Sequence, residues 1–253
     1  MKSHNRQPRR SRSAAAPTNR SRRSANRGGK SHGPALLFDL DGTLVDSVYE
    51  HTLCWHEALQ RQRIPVQVWK IHRRIGMTGR LLLHALFRDL GREADPAQIE
   101  MLEKLHKENY AARLPNIRVL PGSRELLHRL SDSGIAWAIG SSGSPEEVQH
   151  LTKLLEVPSS IPVITGDDVA GPKPNPDAFL AAAERLGVRL ADCIIVGDSV
   201  WDLLAAGRAK AIGIGFLSGG SGEAELQAAG AYRVYADPAD FLNHLEEVGI
   251  QTE

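Results

Sequence analysis

Short, wholly apolar runs alternate along this chain with amphipathic stretches of helical period. Ala35-Leu36-Leu37-Phe38, Ile135-Ala136-Trp137-Ala138-Ile139 and Cys193-Ile194-Ile195-Val196 are long enough for buried parallel strands and too short for helices. Shorter strand candidates lie at residues 161–165, 211–215 and 232–235. The stretches between them carry readable helix ends. Ser144-Pro145-Glu146-Glu147 reads as an N-cap, a proline in the first helical position and a glutamate closing a capping box. Asn175-Pro176-Asp177 opens another helix, which Gly187 closes, and 121–130 and 200–209 complete the set. Strands alternating with helices predict an α/β fold: a doubly wound, mostly parallel sheet with a Rossmann-like core.

One stretch breaks the alternation. From residue 48 to about 116 no strand is expected. Helices are expected at about 47–63, where Trp55, Ala58 and Leu59 share one face, and at 66–74 and 79–90, the last ended by Gly91. A fourth runs from an Asp95-Pro96-Ala97-Gln98 capping box to about Arg113. This all-helical insert after the first strand reads as a cap, residues 48–116. The core is then 34–47 and 117–253, with hinges near 46–48 and 115–119. In open parallel sheets ligands bind beyond the carboxyl ends of the strands. Asp39, Ser141 and Asp198 each stand just past such an end, so they are expected on one rim beneath the cap.

Charge divides the chain. Ten of the 31 basic residues fall in the first 34 positions, which hold no acidic residue, so the remainder carries 21 basic against 30 acidic, a net of −9. The stretch 1–33 is rich in Ser, Arg, Asn and Gly and has little to bury, which predicts a disordered basic tail. A nucleic-acid or membrane-surface arm, an organelle-targeting segment and an extension without function all fit it. The acidic body does not suggest a nucleic-acid binder, and no apolar run is long enough to span a membrane. Two cysteines, Cys54 and Cys193, exclude a disulfide or multi-cysteine zinc scaffold and suit a reducing cytoplasm.

The chemistry concentrates in Phe38-Asp39-Leu40-Asp41-Gly42-Thr43-Leu44. Two carboxylates one residue apart leave a strand end in different directions. One can attack while the other handles protons, and Gly42 permits the tight turn. Together with Ser141 after the second apolar run, Lys173 ahead of a helix in Gly171-Pro172-Lys173-Pro174, and Gly197-Asp198-Ser199-Val200-Trp201-Asp202 after the third, this sequence resembles the haloacid dehalogenase-like hydrolase superfamily. The resemblance covers residues 35 to about 248 and presents four motifs in the family's order.

The resemblance implies the roles. Asp39 is the expected nucleophile, forming an aspartyl-phosphate, and Asp41 the acid and base. Ser141, with Ser142 beside it, and Lys173 are expected to bind the phosphoryl group. Mg²⁺ is the implied cofactor, held by Asp39, Asp198 and the main-chain carbonyl of Asp41, with Asp202 bracing the metal site or merely opening a helix. Displacing a halide needs no protonated leaving oxygen, so Asp41 argues for phosphoryl transfer over dehalogenation. The implied activity is a phosphoric monoester hydrolase acting on a small phosphorylated metabolite, of phosphoglycolate or sugar-phosphate type, in a monomer or homodimer.

A β-phosphoglucomutase-like mutase is the alternative. His51 sits where such proteins carry a cap-hinge histidine, and Gly76-Met77-Thr78-Gly79-Arg80 resembles their substrate-facing cap loop with the arginine displaced by one position. His72, Arg73, Arg74, Met77 and Arg80 lie near that loop. They are either an exposed helix face or a set of cations for a second anionic group on the substrate. His84 and His106 read as helix-face residues.

Overall fold

The computed structural model describes residues 33–251. The basic tail expected at 1–33 therefore lies outside the described residues, save for Gly33. The chain enters at β1 (Ala35–Phe38), turns through β2 (Val45–Asp46), and passes into four helices: α1 (Val48–Arg61), α2 (Val68–His72), α3 (Gly79–Asp89) and α4 (Pro96–Arg113). It returns through β3 (Arg118–Val119) to α5 (Ser123–Asp132), β4 (Trp137–Gly140), α6 (Pro145–Leu154), β5 (Val163–Ile164), α7 (Asp177–Leu186), β6 (Cys193–Gly197) and α8 (Val200–Ala209). The chain closes with β7 (Ile212–Phe216), α9 (Glu223–Ala228), β8 (Ala231–Tyr235) and α10 (Pro238–Leu242).

Six strands form one parallel sheet in the order β5-β4-β1-β6-β7-β8. β1 lies at its centre, with Leu36 registered against Trp137 on one side and Ile194 on the other. Alternate residues feed two cores. Leu36, Phe38, Trp137, Ile139, Ile194 and Val196 pack on one face, and Ala35, Leu37, Ala138, Cys193 and Ile195 on the other. Helices cover both faces, so the central strands are apolar at every position and read as continuous runs.

The helices of 48–113 gather a third apolar cluster of their own, centred on Trp55, Leu59, Leu83, Leu86 and Leu102. The two connections between them and the sheet pair with each other. β2 and β3 form an antiparallel ladder, Val45 against Val119 and Asp46 against Arg118. The sequence pattern does not announce this ribbon, because two residues per strand are too few for a period to register. Asp95 caps α4 by accepting from the Ala97 amide at 3.1 Å, a one-sided cap where a reciprocal box was expected. Among the described residues no helix is long and apolar enough to cross a membrane.

Candidate active site

The carboxyl ends of β1, β4 and β6 carry Asp39, Ser141 and Asp198 to one rim, as adjacency in a parallel sheet requires. The amide of Asp39 continues the ladder by donating to Val196 O at 2.8 Å, and that of Ser141 to Ile164 O at 3.0 Å. Lys173, on the loop between β5 and α7, reaches the same place. Its Nζ lies 2.6 Å from Asp39 Oδ1 and 2.8 Å from Asp202 Oδ1, with only 2% of its surface exposed. Asp202 is the third residue of α8 and also takes hydrogen bonds from the Ser199 hydroxyl at 2.6 Å and the Ser199 amide at 3.2 Å. One buried carboxylate thus closes a capping box and neutralises the lysine.

Asp39, Asp198 and Asp202 offer oxygens that all lie within 4.8 Å of one another, and all three residues are buried. Burial raises the Asp39 carboxyl above its ordinary value; Lys173 pulls it down and Asp202 pushes it up. Burial also lifts Asp198 far above the ordinary range, reinforced by Asp202 and Asp39. Lys173 is pushed the other way by burial, but Asp202 and Asp39 more than compensate and hold it protonated. Three buried carboxylates facing one lysine leave an excess of negative charge, and a hard divalent cation would relieve it. The donor set therefore fits a magnesium-type ion.

Asp198 is held from two sides. Thr43 Oγ1 donates to its Oδ1 at 2.8 Å, which gives the threonine after Gly42 a function that the sequence pattern did not assign. On the other side the Leu217–Gly219 turn closes over it, pinned by Ser218 Oγ donating to Gly42 O at 2.6 Å. A Cβ at Gly219 would fall within the Asp198 carboxylate. Gly219→Ala is expected to displace Asp198 and weaken divalent-cation binding at the carboxylate cluster by ~10–100-fold, the range for disturbing the support of such a site. A Mg²⁺ binding titration, whose midpoint should shift to higher concentration, checks this.

Asp41 leaves the strand in a different direction and meets the helical segment. Its Oδ1 accepts from Ser47 Oγ at 2.6 Å and lies 3.3 Å from His51 Nε2 and 3.5 Å from the Tyr110 hydroxyl. His51 Nδ1 in turn lies 3.1 Å from His106 Nε2, and His106 stacks on Trp55 with ring centroids 4.0 Å apart. Burial alone would raise Asp41, but His51 and Ser47 outweigh it and set the carboxyl below its ordinary value. Burial would lower His51, yet Asp41 holds it above. Burial and the neighbouring His51 drive His106 far below and keep it neutral. In its protonated form His51 donates to both Asp41 and His106. His106, expected on a helix face, is buried and lines the site. Its signal was the four-residue step to Tyr110, which puts both rings beside His51.

The Asp41–His51 pair has a signed pH dependence. His51, raised in the folded chain, contributes stability that is full below the ordinary histidine value of 6.5 and is lost as pH climbs through the raised one. Asp41, lowered, contributes stability that is full above 3.8 and is lost as pH falls through the lowered value. The stability difference between wild type and His51→Gln should therefore be greatest between those two pH values and shrink on the alkaline side. Thermal melts across pH check it.

The remaining predicted residues divide. Ser141 is fully buried, and its oxygen accepts the Gly143 amide at 3.0 Å. The Ser144 amide donates to Glu147 at 3.0 Å, so α6 starts without using Ser141. Ser142 Oγ donates to Gly76 O at 3.2 Å and ties the rim to the loop between α2 and α3. Two of the helical segment's cations face elsewhere: Arg73 pairs with Glu225, and Arg74 with Asp89. His72 Nε2 meets Gly219 O at 2.9 Å. Met77 lines a cavity of about 280 Å³ over Asp39 and Asp41, whereas Arg80 and the exposed His84 border a neighbouring cavity.

Residues 34–210 match the haloacid dehalogenase-like hydrolase family. Hexitol phosphatase A of Escherichia coli is 36% identical over 178 residues, 68% of this chain and 79% of that protein. A phosphoglycolate phosphatase of Xylella fastidiosa is 33% identical, over 68% of this chain and 74% of its own length. The crystal structure of a hydrolase from Pseudomonas syringae superposes with a TM-score of 0.82 at 44% identity, covering 85% of this chain and 99% of that one. The chain belongs to the haloacid dehalogenase-like hydrolase family and is a hydrolase of phosphate esters.

Proposed function

We propose that this chain is a Mg²⁺-dependent phosphatase that hydrolyses a small phosphorylated metabolite, of phosphoglycolate or sugar-phosphate type, through an aspartyl-phosphate on Asp39. The observation that carries this reading is the division of labour at the rim. Asp39 lies with Lys173 and the clustered carboxylates, while Asp41 is held apart from them by Ser47 and His51.

In the first step an Asp39 oxygen bonds to phosphorus and the ester oxygen departs. Asp41 gives the departing oxygen a proton, drawn from the one it shares with His51. Lys173 and the Ser141 hydroxyl fix the phosphoryl oxygens. Bound to Asp39, Asp198 and the Asp41 carbonyl, Mg²⁺ would supply charge neutralisation to the phosphoryl group, without which an anionic carboxylate is a poor attacker. In the second step Asp41 takes a proton from water as that water attacks phosphorus, freeing Asp39 and inorganic phosphate.

The test is release of inorganic phosphate from a panel of phosphorylated metabolites and p-nitrophenyl phosphate, with Mg²⁺ or with EDTA. Release that EDTA abolishes is the expected result. A hexose phosphate isomerised without phosphate release would replace this reading with the mutase.

A further inference from the structure

The site must do different things with the two ends of its substrate, and the cavities separate them. An ester oxygen leaving Asp39-bound phosphorus has to depart toward Asp41, the group that protonates it. The cavity of about 280 Å³ contains both Asp39 and Asp41, whereas the neighbouring one of about 310 Å³, bordered by Arg80, His84 and Lys173, contains neither. The leaving alcohol therefore belongs in the first cavity, which has the dimensions of a site for a small metabolite.

The charge of that cavity is one-sided. Beyond Asp39, Asp41 and His51, its ionisable lining among the described residues is Glu103, His106 and Lys107 from α4, Glu147 from α6 and Asp167 after β5, and burial keeps His106 neutral. Lys107 is turned to Glu146 at 3.2 Å. Glu103 has only Arg80, 61% exposed and 3.5 Å away. Glu147 spends one oxygen on the Ser144 amide, and Asp167 makes no hydrogen bond or ion pair with any described residue. Trp55 contributes an aromatic wall. Arg73 and Arg74 do not enter.

We propose that the alcohol this site accepts is uncharged and hydroxyl-rich, the polyol or sugar part of a monophosphate, and that esters bearing a carboxylate beside the phosphate are disfavoured. The inference rests on the phosphatase reading and selects within it. Carboxylates lining a pocket accept hydrogen bonds from hydroxyls, whereas a second carboxylate brought among them meets like charges, since the cationic side chains of the lining among the described residues, His51 and Lys107, are paired with Asp41 and Glu146.

A matched pair tests this. Phosphoglycolate and 2-hydroxyethyl phosphate differ in replacing a carboxylate by a hydroxymethyl group, and glucitol 6-phosphate extends the neutral side. With Mg²⁺, kcat/KM for 2-hydroxyethyl phosphate should exceed that for phosphoglycolate by about tenfold or more, the scale of a like-charge contact at a partly solvated site. In the double variant Glu103→Gln with Asp167→Asn that ratio should fall severalfold. Equal or better turnover of phosphoglycolate, or a ratio that the double variant does not move, overturns the inference while p-nitrophenyl phosphate hydrolysis keeps the phosphatase reading. Absence of Mg²⁺-dependent release from every ester, p-nitrophenyl phosphate included, overturns both.

Discussion

Asp39→Asn should lower phosphate release by at least ~10⁴-fold, on the precedent that removing a nucleophile from a hydrolase costs more than any supporting group. Asparagine keeps the shape of the side chain and its place at the end of β1 but cannot form the acyl phosphate. The fold should survive, because the substitution removes one of three mutually repelling buried carboxylates. Retained melting temperature with lost turnover identifies a chemical role. Loss of both together would identify a structural one.

Lys173→Met should fail in two measurable ways. Among the described residues Lys173 is the cation paired with Asp39 and Asp202, at 2.6 and 2.8 Å, and it is almost wholly buried. Removing one partner of a buried ion pair leaves charge uncompensated and costs about 3–5 kcal/mol of stability, which chemical denaturation reads directly. Added Mg²⁺ should restore part of that loss, since it neutralises the same carboxylates. Turnover should fall by roughly 10²–10³-fold even at saturating Mg²⁺, as when one preorganised donor to a transition-state oxygen is removed. A stable variant with near-normal kcat would show that Lys173 neither braces the carboxylates nor holds the phosphoryl group.

The parts of this molecule that can be read from sequence are those in which a local pattern carries the physics. β1, β4 and β6 are buried on both faces, so their residues are apolar throughout, and the polar residue that follows each strand, Asp39, Ser141 or Asp198, marks the rim. The helix from Val200 to Ala209 begins with a capping serine and has its expected bounds. The parts that cannot be read depend on partners far away in the chain. β2 and β3 pair across the whole helical segment, and each is too short to show a period. His106 earns its place through His51, 55 positions earlier. Arg73 and Arg74 look available in sequence because their neutralising partners, Glu225 and Asp89, stand elsewhere. Thr43 is a plain turn residue until Asp198, 155 positions later, is placed against it.

The central claim is that the phosphoryl group passes through Asp39. The most direct measurement is to mix the enzyme and Mg²⁺ with a ³²P-labelled ester that it turns over, quench in acid within the first turnovers, digest, and locate the label by mass spectrometry. The account predicts an acid-stable, base-labile phosphate on the peptide that contains Asp39, absent from Asp39→Asn. Steady phosphate release with no label on the protein, or label on another residue, would contradict it.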